Sequence, residues 1–262
     1  MPRDISGKVT VVTGASSGNG RAIAKAFGEE GAPVVVADVV EDPREGGYED
    51  ESGMTTAEVI RERGGEATFV ECDVTDRDQI RAAIETAVDE FGSFDVMVNN
   101  AGIFTRLVPT WETTQDEWNK TIAVNLTGVW NGCKESIDQF LEDETQGNII
   151  NIASGGGIVG LINEPAYTAS KGGVVQLTKT VALDCADHKI NVNAVAPGWI
   201  STSMTREYFE DEGIREDLEQ STPWPRLGRP EDVANACTFL AAPDSEFITG
   251  SVLAADGGFT AR

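Results

Sequence analysis

The chain has 262 residues, of which 40% are apolar, so it is long enough to bury the core of one α/β domain or of two smaller ones. Its 44 acidic residues outnumber its 20 basic residues and give a net charge of −24, which excludes nucleic acid and anionic membrane surfaces as expected partners, because both are bound by clustered lysine and arginine. No apolar run approaches the ~20 residues that cross a bilayer, and residues 1–12 lack the pattern of a secretory signal, so we expect a cytoplasmic protein.

Short β-branched runs alternate with helical patterns along the chain, which is typical of βαβ units and a parallel sheet. Seven strands are predicted, at residues 8–13, 33–38, 67–72, 95–99, 148–153, 190–195 and 251–255. Helices are predicted to begin near Gly18, Thr55, Asp76, Thr114, Tyr167 and Pro230. Because no linker interrupts this rhythm, the prediction is a single doubly wound α/β domain over residues 1–262.

The segment after the first strand, residues 13–20, reads TGASSGNG and leads directly into a helical pattern. Glycines there permit a tight turn and a close approach of the backbone to a pyrophosphate, whose charge the helix N-terminus favours. A plain turn is the alternative, but the position between first strand and first helix favours a dinucleotide site. The predicted cofactor-binding residues of this turn are Gly14, Ser16, Ser17, Gly18, Asn19 and Gly20.

The second strand ends in Asp38, 24 positions after Gly14. A carboxylate at that strand end accepts hydrogen bonds from the adenosine ribose and repels the additional phosphate of NADP. No arginine or lysine stands at Ser16, Ser17, Val39 or Val40 to offset the repulsion. The prediction is therefore NAD as cofactor, and the alternative is that Asp38 only caps a loop.

Two segments interrupt the βα rhythm. Residues 41–53 are acidic and rich in glycine, which predicts an exposed insertion. Residues 201–225 mix apolar with acidic side chains, and we expect a short helical excursion placed like a substrate lid. The large side chains in and beside this segment, which either wall a pocket or pack in the core, are Trp199, Met204, Tyr208 and Trp224.

Tyr167 and Lys171 are four residues apart, so on a helix their side chains project from one face. A phenol titrates near ~10, and a neighbouring cation stabilises the phenolate, which makes it a usable base at neutral pH. Ser154 follows a predicted strand, where its hydroxyl can hydrogen-bond a reacting oxygen. Taken singly, each residue has a structural alternative: a half-buried aromatic for Tyr167 and a strand-end cap for Ser154.

These motifs occur together with others in one order along essentially the whole chain. They are TGxxxGxG, Asn99-Asn100-Ala101-Gly102, Asn125, Ser154, Tyr167-xxx-Lys171, Pro197-Gly198 and Asp256-Gly257-Gly258. In this combination the chain resembles the short-chain dehydrogenases/reductases. The sequence departs from that pattern at Asn19, where the family has an aliphatic residue, and at Ala153, where a second serine is common.

The resemblance implies a Rossmann-type sheet of seven strands, a homotetramer assembled through helices that include the one bearing Tyr167, and a set of residue roles. Asn125, in a helical region, would position a water that links Lys171 to solvent, although a simple helix irregularity is the alternative. Asn99 and its neighbours would support the central sheet. The further cofactor contacts it implies are Asp73 and Val74 at the adenine, Asn100, Ala101 and Gly102 at the ribose, Tyr167 and Lys171, and Pro197, Gly198, Ile200 and Thr202 at the nicotinamide.

The predicted function is reversible oxidation of a secondary alcohol to a ketone, with Asn125, Ser154, Tyr167 and Lys171 as catalytic residues. The substrate is predicted to be a sugar, polyol or hydroxy acid, with a 3-oxoacyl thioester or a cyclic alcohol as alternatives. Glu164 and Asn163 could bind substrate hydroxyls, but solvated loop residues are the favoured interpretation. Two other classes of protein are alternatives: a non-catalytic NAD-binding sensor or scaffold, and a dehydratase or epimerase that retains its NAD.

The cysteine and histidine content argues against a metal site. Cys72, Cys133, Cys185 and Cys237 are each more than 50 residues apart, and His188 is the only histidine. Because the sequence has neither a CxxC pair nor a Cys/His cluster, the prediction is free thiols, buried or half-buried, and no metal. A catalytic thiol is the alternative.

The acidic excess also bears on the solvent in which the chain works. Repulsion between like charges destabilises a compact fold unless salt screens it, and at 1 M salt the Debye length falls to ~3 Å. Lysine is scarce, with seven lysines against thirteen arginines. These features favour a cytosol with molar salt, as in a halophile, and the alternative is an acidic bacterial protein without that adaptation.

Overall fold

Seven β-branched runs form one parallel sheet in the computed structural model, which describes residues 4–45 and 53–261. The strands are β1 Thr10–Thr13, β2 Val34–Asp38, β3 Ala67–Glu71, β4 Val96–Asn99, β5 Gly147–Ile152, β6 Ile190–Pro197 and β7 Val252–Ala255. Strands β1 and β4 are buried along their whole length, as expected for strands covered on both faces. The predicted fold class is confirmed.

The strand order β3-β2-β1-β4-β5-β6-β7 places a reversal of the chain path between β1 and β4. All neighbouring strands are parallel, so their carboxyl ends meet at one edge of the sheet. In open α/β sheets, ligands bind outside that edge at such a reversal. The fold therefore directs attention to the loops that follow Thr13 and Asn99.

Helices cover both faces of the sheet. They are α1 Gly18–Glu29, α2 Thr56–Glu62, α3 Arg77–Phe91, α4 Gln115–Ile122, α5 Gly128–Glu142, α6 Pro165–Cys185, α7 Arg206–Glu210, α8 Glu212–Ser221 and α9 Pro230–Ala241. One core cluster packs α3, α5 and α6 against one face, and a second packs α1, α2 and α9 against the other. Within the described part of the chain, no helix is long and apolar enough to cross a membrane.

The helix starts expected from the sequence coincide with capping residues. Thr55, Asp76 and Thr114 are the N-caps of α2, α3 and α4, and the side chain of each accepts a hydrogen bond from a backbone N–H of the first turn. Helix α6 begins two residues earlier than expected because Pro165 occupies its first position, which proline favours.

Helices α4 and α5 are joined without a break by a π-helical segment, Ala123–Thr127. The wider turn inserts at Asn125, whose side chain is fully buried. Such segments are frequent at functional sites. Asn125 therefore lies in a helical region, as expected, and it also lies at an irregularity of that helix, the π-helical segment.

The two interrupting segments differ in how far the structure describes them. Within the predicted insertion, residues 46–52 lie outside the described residues. In the predicted lid, helices α7 and α8 supply the expected helical excursion. The four cysteines are buried free thiols, as predicted, and burial raises the pKa of each.

Candidate active site

The glycine-rich turn forms a cradle at the start of α1. Gly14 and Gly18 have φ of +63° and +55°, a left-handed backbone that favours glycine. A Cβ added at Gly20 would lie 2.0 Å from the carbonyl oxygen of Gly14, so only glycine allows α1 to pack this closely on β1. Gly20 therefore shapes the turn without lining the cleft, whereas Gly14, Ser17, Gly18 and Asn19 line it.

Asn100 fastens the loop after β4 to this turn. Its side-chain Nδ2 donates to the carbonyl oxygens of Thr13 and Gly14 at 2.9 and 3.0 Å. The backbone N–H groups of Asn100 and Ala101 both donate to the Thr13 hydroxyl, at 3.0 and 3.1 Å. Asn99, one residue earlier, is buried and donates to Asn151 Oδ1 at 2.9 Å, which ties β4 to β5.

Asp38 stands at the end of the cleft where β2 stops. Its carboxylate accepts the backbone N–H of Ser16 at 3.0 Å and that of Val39 at 2.8 Å. The Ser16 hydroxyl is directed away from the cleft, because it donates to the carbonyl oxygen of Val40 at 2.6 Å. Ser16 thus fixes the position of Asp38 and does not line the cleft.

Arg44 also lines the cleft beside Asp38, and the sequence analysis did not identify it. Arg44 lies six residues after the end of β2, beyond Val39 and Val40, where a basic residue that binds the additional phosphate of NADP would be expected. Its backbone N–H donates to the Ser17 hydroxyl at 2.6 Å, which brings the loop back over the turn.

Asp73 and Val74 line the middle of the cleft, as does Cys72 before them. The Asp73 carboxylate accepts the Thr75 backbone N–H and hydroxyl at 2.9 and 2.7 Å, so the loop after β3 is fixed by its own side chain. Burial, followed by the charges of nearby aspartates, raises the pKa of Cys72 to about 12. A thiol with so high a pKa is a poor nucleophile at neutral pH, which argues against a catalytic thiol.

Ser154, Tyr167 and Lys171 meet at the inner end of the cleft. Burial raises the pKa of Tyr167 to about 12, and hydrogen bonding to the Ser154 hydroxyl opposes that increase. Burial also lowers the pKa of Lys171 to about 8. Its Nζ lies 5.9 Å from the centroid of the Tyr167 ring and donates to the carbonyl oxygen of Ile152 at 2.7 Å.

The expectation that Lys171 and a bound nicotinamide cation together lower the pKa of Tyr167 stays a prediction. In the protein alone, loss of hydration around the phenol raises that pKa.

Asn125 braces the loop that faces this cluster. Its Oδ1 accepts the backbone N–H of Ile103 at 2.8 Å, and its Nδ2 donates to the carbonyl oxygen of Ile103 at 2.9 Å. A Cβ at Gly102 would lie 3.5 Å from Asn125 Oδ1 and 3.7 Å from Lys171 Nζ, so Gly102 stands between the two side chains.

The remaining predicted cofactor residues lie at the end of β6 and in the loop after it, and they also line the cleft. Thr202 Oγ1 lies 3.3 Å from Thr205 Oγ1, and the Thr205 hydroxyl donates to the carbonyl oxygen of Ile200 at 2.6 Å, which fixes the loop that leads into α7. The predicted residues that line the cleft are Gly14, Ser17, Gly18, Asn19, Asp38, Asp73, Val74, Asn100, Ala101, Gly102, Tyr167, Lys171, Pro197, Gly198, Ile200 and Thr202, together with Ser154.

A second, smaller cavity opens on the other side of Tyr167. Its walls are mainly aromatic and aliphatic: Phe104, Leu161, Pro197, Trp199, Met204 and Phe259, with Tyr208 from α7. We call it the inner cavity. Three of the four large side chains considered as pocket walls line it, but Trp224 does not: it is 60% exposed and lies on the outer side of the lid.

Glu164 also lines the inner cavity, and here the favoured sequence interpretation is wrong. The residue is only 6% exposed and is not a solvated loop side chain. Burial raises the pKa of Glu164 to about 7. Asn163 beside it is exposed, so the solvated interpretation holds for that residue alone.

The cleft fits a nicotinamide dinucleotide on the evidence of these residues. The glycine turn, which any Cβ at Gly20 would distort, offers backbone to a pyrophosphate, and Asp38 offers acceptors to a ribose. The cleft ends at the half-buried side chain of Tyr167, which also lines a separate, smaller cavity. This combination defines a class, the nicotinamide-dependent oxidoreductases.

Comparison with known proteins gives the family. The family model described as enoyl-(acyl carrier protein) reductase matches residues 14–260. The chain belongs to the short-chain dehydrogenase/reductase family, and it is an enzyme that acts on CH–OH groups.

Curated relatives match over almost their full length. The chain is 42% identical over 260 residues to 3β-hydroxysteroid dehydrogenase 1 of Eggerthella lenta, which covers 99% of this chain and 96% of the relative. It is 40% identical over 254 residues to cis-4-hydroxycyclohexanecarboxylate dehydrogenase of Sinomonas cyclohexanicum, covering 97% of each. It is 37% identical over 264 residues to glucose 1-dehydrogenase 2 of Bacillus subtilis, covering 99% of this chain and 97% of the relative.

Solved structures agree with this assignment. A short-chain type dehydrogenase/reductase from Mycobacterium marinum superposes with a TM-score of 0.90 at 33% identity, covering 100% of this chain and 98% of that one. An Agrobacterium tumefaciens protein assigned as a 2-deoxy-D-gluconate 3-dehydrogenase, solved with NADP bound, superposes with a TM-score of 0.88 at 34% identity, covering 100% and 99%.

Proposed function

We propose that this enzyme interconverts a cyclic secondary alcohol and its ketone with NAD as cofactor, and that Tyr167 is the general acid/base. The observation that carries the proposal is that Tyr167 and Ser154 line both the cleft and the inner cavity. A substrate carbon in the inner cavity and a cofactor in the cleft would therefore meet at this phenol and hydroxyl.

Four residues of the site have separate roles in the proton transfer. Oxidised nicotinamide, when bound, supplies a positively charged hydride acceptor. Tyr167 takes the hydroxyl proton of the alcohol as the carbonyl forms, and Ser154 holds the reacting oxygen. Lys171, held by the carbonyl oxygen of Ile152, offsets the phenolate charge. Asn125, which accepts the backbone N–H of Ile103, positions a water that links Lys171 to solvent.

The inner cavity supports a cyclic substrate. Flat aromatic and aliphatic walls suit the apolar faces of a ring, and Glu164 supplies one acidic group. No lysine or arginine of the described chain lines the inner cavity, which argues against the hydroxy-acid substrate considered from the sequence, because a substrate carboxylate would face Glu164 unpaired. The three curated relatives carry the names of enzymes for a hydroxysteroid, a sugar and a hydroxycyclohexanecarboxylate, so a ring alcohol is common to all three and a carboxylate to one.

The test of this proposal is NADH formation by the purified protein with NAD⁺ across cyclohexanols, hydroxysteroids, sugars, polyols and hydroxy acids. Turnover of ring alcohols supports it. A protein that binds NADH but oxidises no alcohol in the panel contradicts it.

The preference for NAD rests on the charge of Asp38 against the additional phosphate of NADP. Arg44 also lines the cleft, and the Asp38 carboxylate is fixed there by the backbone N–H groups of Ser16 and Val39. Two like charges about 4 Å apart near a protein surface repel by roughly 4 kcal/mol before screening, and salt reduces this further. A preference of roughly 10–100-fold follows.

We expect Asp38→Asn to raise kcat/KM for NADP⁺ by about tenfold and to lower that for NAD⁺ less than tenfold, because the amide keeps an acceptor and removes the charge. The measurement is the ratio of the two kcat/KM values at fixed alcohol concentration. Glu41→Gln is the control, since Glu41 is an exposed residue of the same loop and does not line the cleft. Equal kcat/KM for both cofactors in the unaltered enzyme would refute the proposed preference.

We also propose that residues 1–262 form one domain, with residues 201–225 as the lid of the inner cavity. Met204, Thr205 and Tyr208, at the start of that segment, line the inner cavity, which supports the lid. Helices α7 and α8 have no buried residue, so little apolar packing holds them down.

We propose further that the chain works as a homotetramer in molar salt. Large apolar side chains stay exposed on the outer faces of α5 and α6, at Trp130 and Leu183, and a net charge of −24 per chain makes association sensitive to salt. We expect light scattering in 2 M KCl to give four chains of 27.9 kDa each, and Tm to rise by about 10 °C between 0.1 and 2 M KCl, equivalent to roughly 3 kcal/mol. A monomer whose Tm is independent of KCl would show both parts to be wrong.

A further inference from the structure

Glu164 is a buried acid with no partner among the described residues. It occupies the N-cap position of α6, yet its side chain accepts no capping hydrogen bond from the helix. Its carbonyl oxygen does accept the N–H of Thr168 at 2.9 Å, so the backbone starts the helix without help from the side chain. Glu164 lines the inner cavity, and only 6% of its surface is exposed.

Such an arrangement is costly for the folded protein. A carboxylate loses its hydration on burial and recovers that loss only through hydrogen bonds or an opposite charge. The side chains of Phe104, Leu161 and Phe259 around Glu164 cannot donate a hydrogen bond. The lining residues that do carry donors, Ser154, Tyr167, Trp199, Thr205 and Tyr208, form no hydrogen bond with its carboxylate among the described residues. A donor that enters with the substrate would satisfy the group.

We propose that Glu164 is a specificity-determining residue, which accepts a hydrogen bond from a second hydroxyl group on the otherwise apolar ring of the substrate. This inference rests on the proposed function, because it assumes that the ring alcohol occupies the inner cavity with its reacting hydroxyl at Tyr167 and Ser154. It predicts that diols are preferred over the corresponding mono-alcohols of the same ring.

A hydroxyl group suits this position better than a charged one. An ammonium group brings three donors into a cavity that offers few acceptors, and it would lose its hydration as well. A carboxylate would be repelled. A hydroxyl needs one good acceptor, and a site built to pair with it discriminates strongly against the analogue that lacks it.

The preference for diols should depend on pH. The titratable groups that face Glu164 across the inner cavity are Tyr167 on its own helix and Tyr208 on α7, and the charge of Glu164 raises the pKa of both. Because burial raises the pKa of Glu164 to about 7, the carboxylate is the main form at pH 8.5 and the neutral acid at pH 5.5. A carboxylate is the stronger acceptor, so the preference should be larger at pH 8.5.

The experiment compares kcat/KM for cyclohexane-1,3-diol and cyclohexane-1,4-diol with kcat/KM for cyclohexanol, using NAD⁺ at pH 8.5. We expect the better diol to exceed cyclohexanol by about 10–100-fold in the unaltered enzyme. Glu164→Leu should reduce that ratio to about 1–3, and Glu164→Gln should give an intermediate ratio because its amide oxygen still accepts. Glu207→Leu and Glu207→Gln are the matched controls, since Glu207 is an exposed acid on α7.

The possible results distinguish the proposed role of Glu164 from the proposed oxidation of ring alcohols. An unchanged ratio in Glu164→Leu, or an equal loss with diol and mono-alcohol in both Glu164 variants, would overturn the role of Glu164 while alcohol oxidation stands. If no ring alcohol is oxidised and Tyr167→Phe behaves like the unaltered enzyme, the proposed function fails and this inference fails with it.

Discussion

Replacing Tyr167 by phenylalanine is expected to lower kcat for alcohol oxidation by roughly 10³–10⁴-fold, at the upper end of what general acid–base catalysis contributes. The phenol is the titratable group shared by the cleft and the inner cavity, and Ser154, its hydrogen-bonding partner, cannot take its place as a base. Phenylalanine keeps the ring that packs 5.0 Å from the ring of Phe104, so the fold should be unaffected.

Two measurements make this prediction specific. Stopped-flow or steady-state NADH formation gives kcat, and quenching of protein fluorescence by NADH gives its Kd, which should change less than about threefold. Tyr208→Phe removes the same hydroxyl from the opposite wall of the inner cavity and should cost less than about tenfold. Activity of Tyr167→Phe within tenfold of the unaltered enzyme would show that another group transfers the proton.

The parts of the fold that the sequence predicts well are those where one physical effect dominates. A continuous apolar run such as residues 34–37 has few alternatives to a buried parallel strand, because both of its faces must be covered. Thr55 and Thr114 predict helix starts because each is followed three residues later by a glutamate, and both pairs form capping boxes. Strand ends were off by one or two residues because hydrogen bonding to the neighbouring strand, and not composition, decides where a strand stops.

The residues that the sequence did not place correctly depend on contacts between distant segments. Glu164 looks like a loop residue until the segments that contain Phe104, Tyr208 and Phe259 close around it, and these lie 44 to 95 positions away in the chain. Arg44 reaches the cleft only because its backbone N–H bonds Ser17. The sequence held no clear signal for Glu164, because an acidic residue just before a proline that starts a helix is also expected for folding alone.

The pKa values of Tyr167 and Lys171 could not be predicted from the sequence either. Spacing predicts correctly that Lys171 lies beside Tyr167 on one helix face, but the sign of the shift in the pKa of Tyr167 depends on how deeply both groups are buried. Burial displaces the two pKa values in opposite directions, to about 12 for the phenol and about 8 for the amine, so at neutral pH the phenol is protonated and the amine is still mainly a cation. A phenolate that forms during the reaction is coupled electrostatically to this cation, because Lys171 Nζ lies 5.9 Å from the centroid of the Tyr167 ring.

This coupling gives the second large effect, which is expected on replacing Lys171 by methionine. We expect kcat/KM for alcohol oxidation to fall by roughly 10²–10³-fold, because the phenolate that forms during proton transfer loses its neighbouring cation. Oxidation requires Tyr167 to release its proton, so kcat/KM rises with pH up to the apparent pKa of the pair. Without the cation the phenolate is harder to form, and this ascending limb should move to higher pH by about 1 unit or more, a shift worth about 1.4 kcal/mol per unit.

The controls for Lys171→Met separate charge from structure. Lys179→Met makes the same change at an exposed position of the same helix and should leave the pH profile unaltered. Lys171→Met also leaves the buried carbonyl oxygen of Ile152 without its donor, so the free energy of unfolding should fall by about 1–3 kcal/mol, and denaturant melts would detect this loss. A lower activity with an unmoved pH limb would mean that Lys171 only supports the fold or holds the cofactor. A limb displaced to higher pH, together with a modest loss of stability, is the combination that assigns its charge to the chemistry of Tyr167.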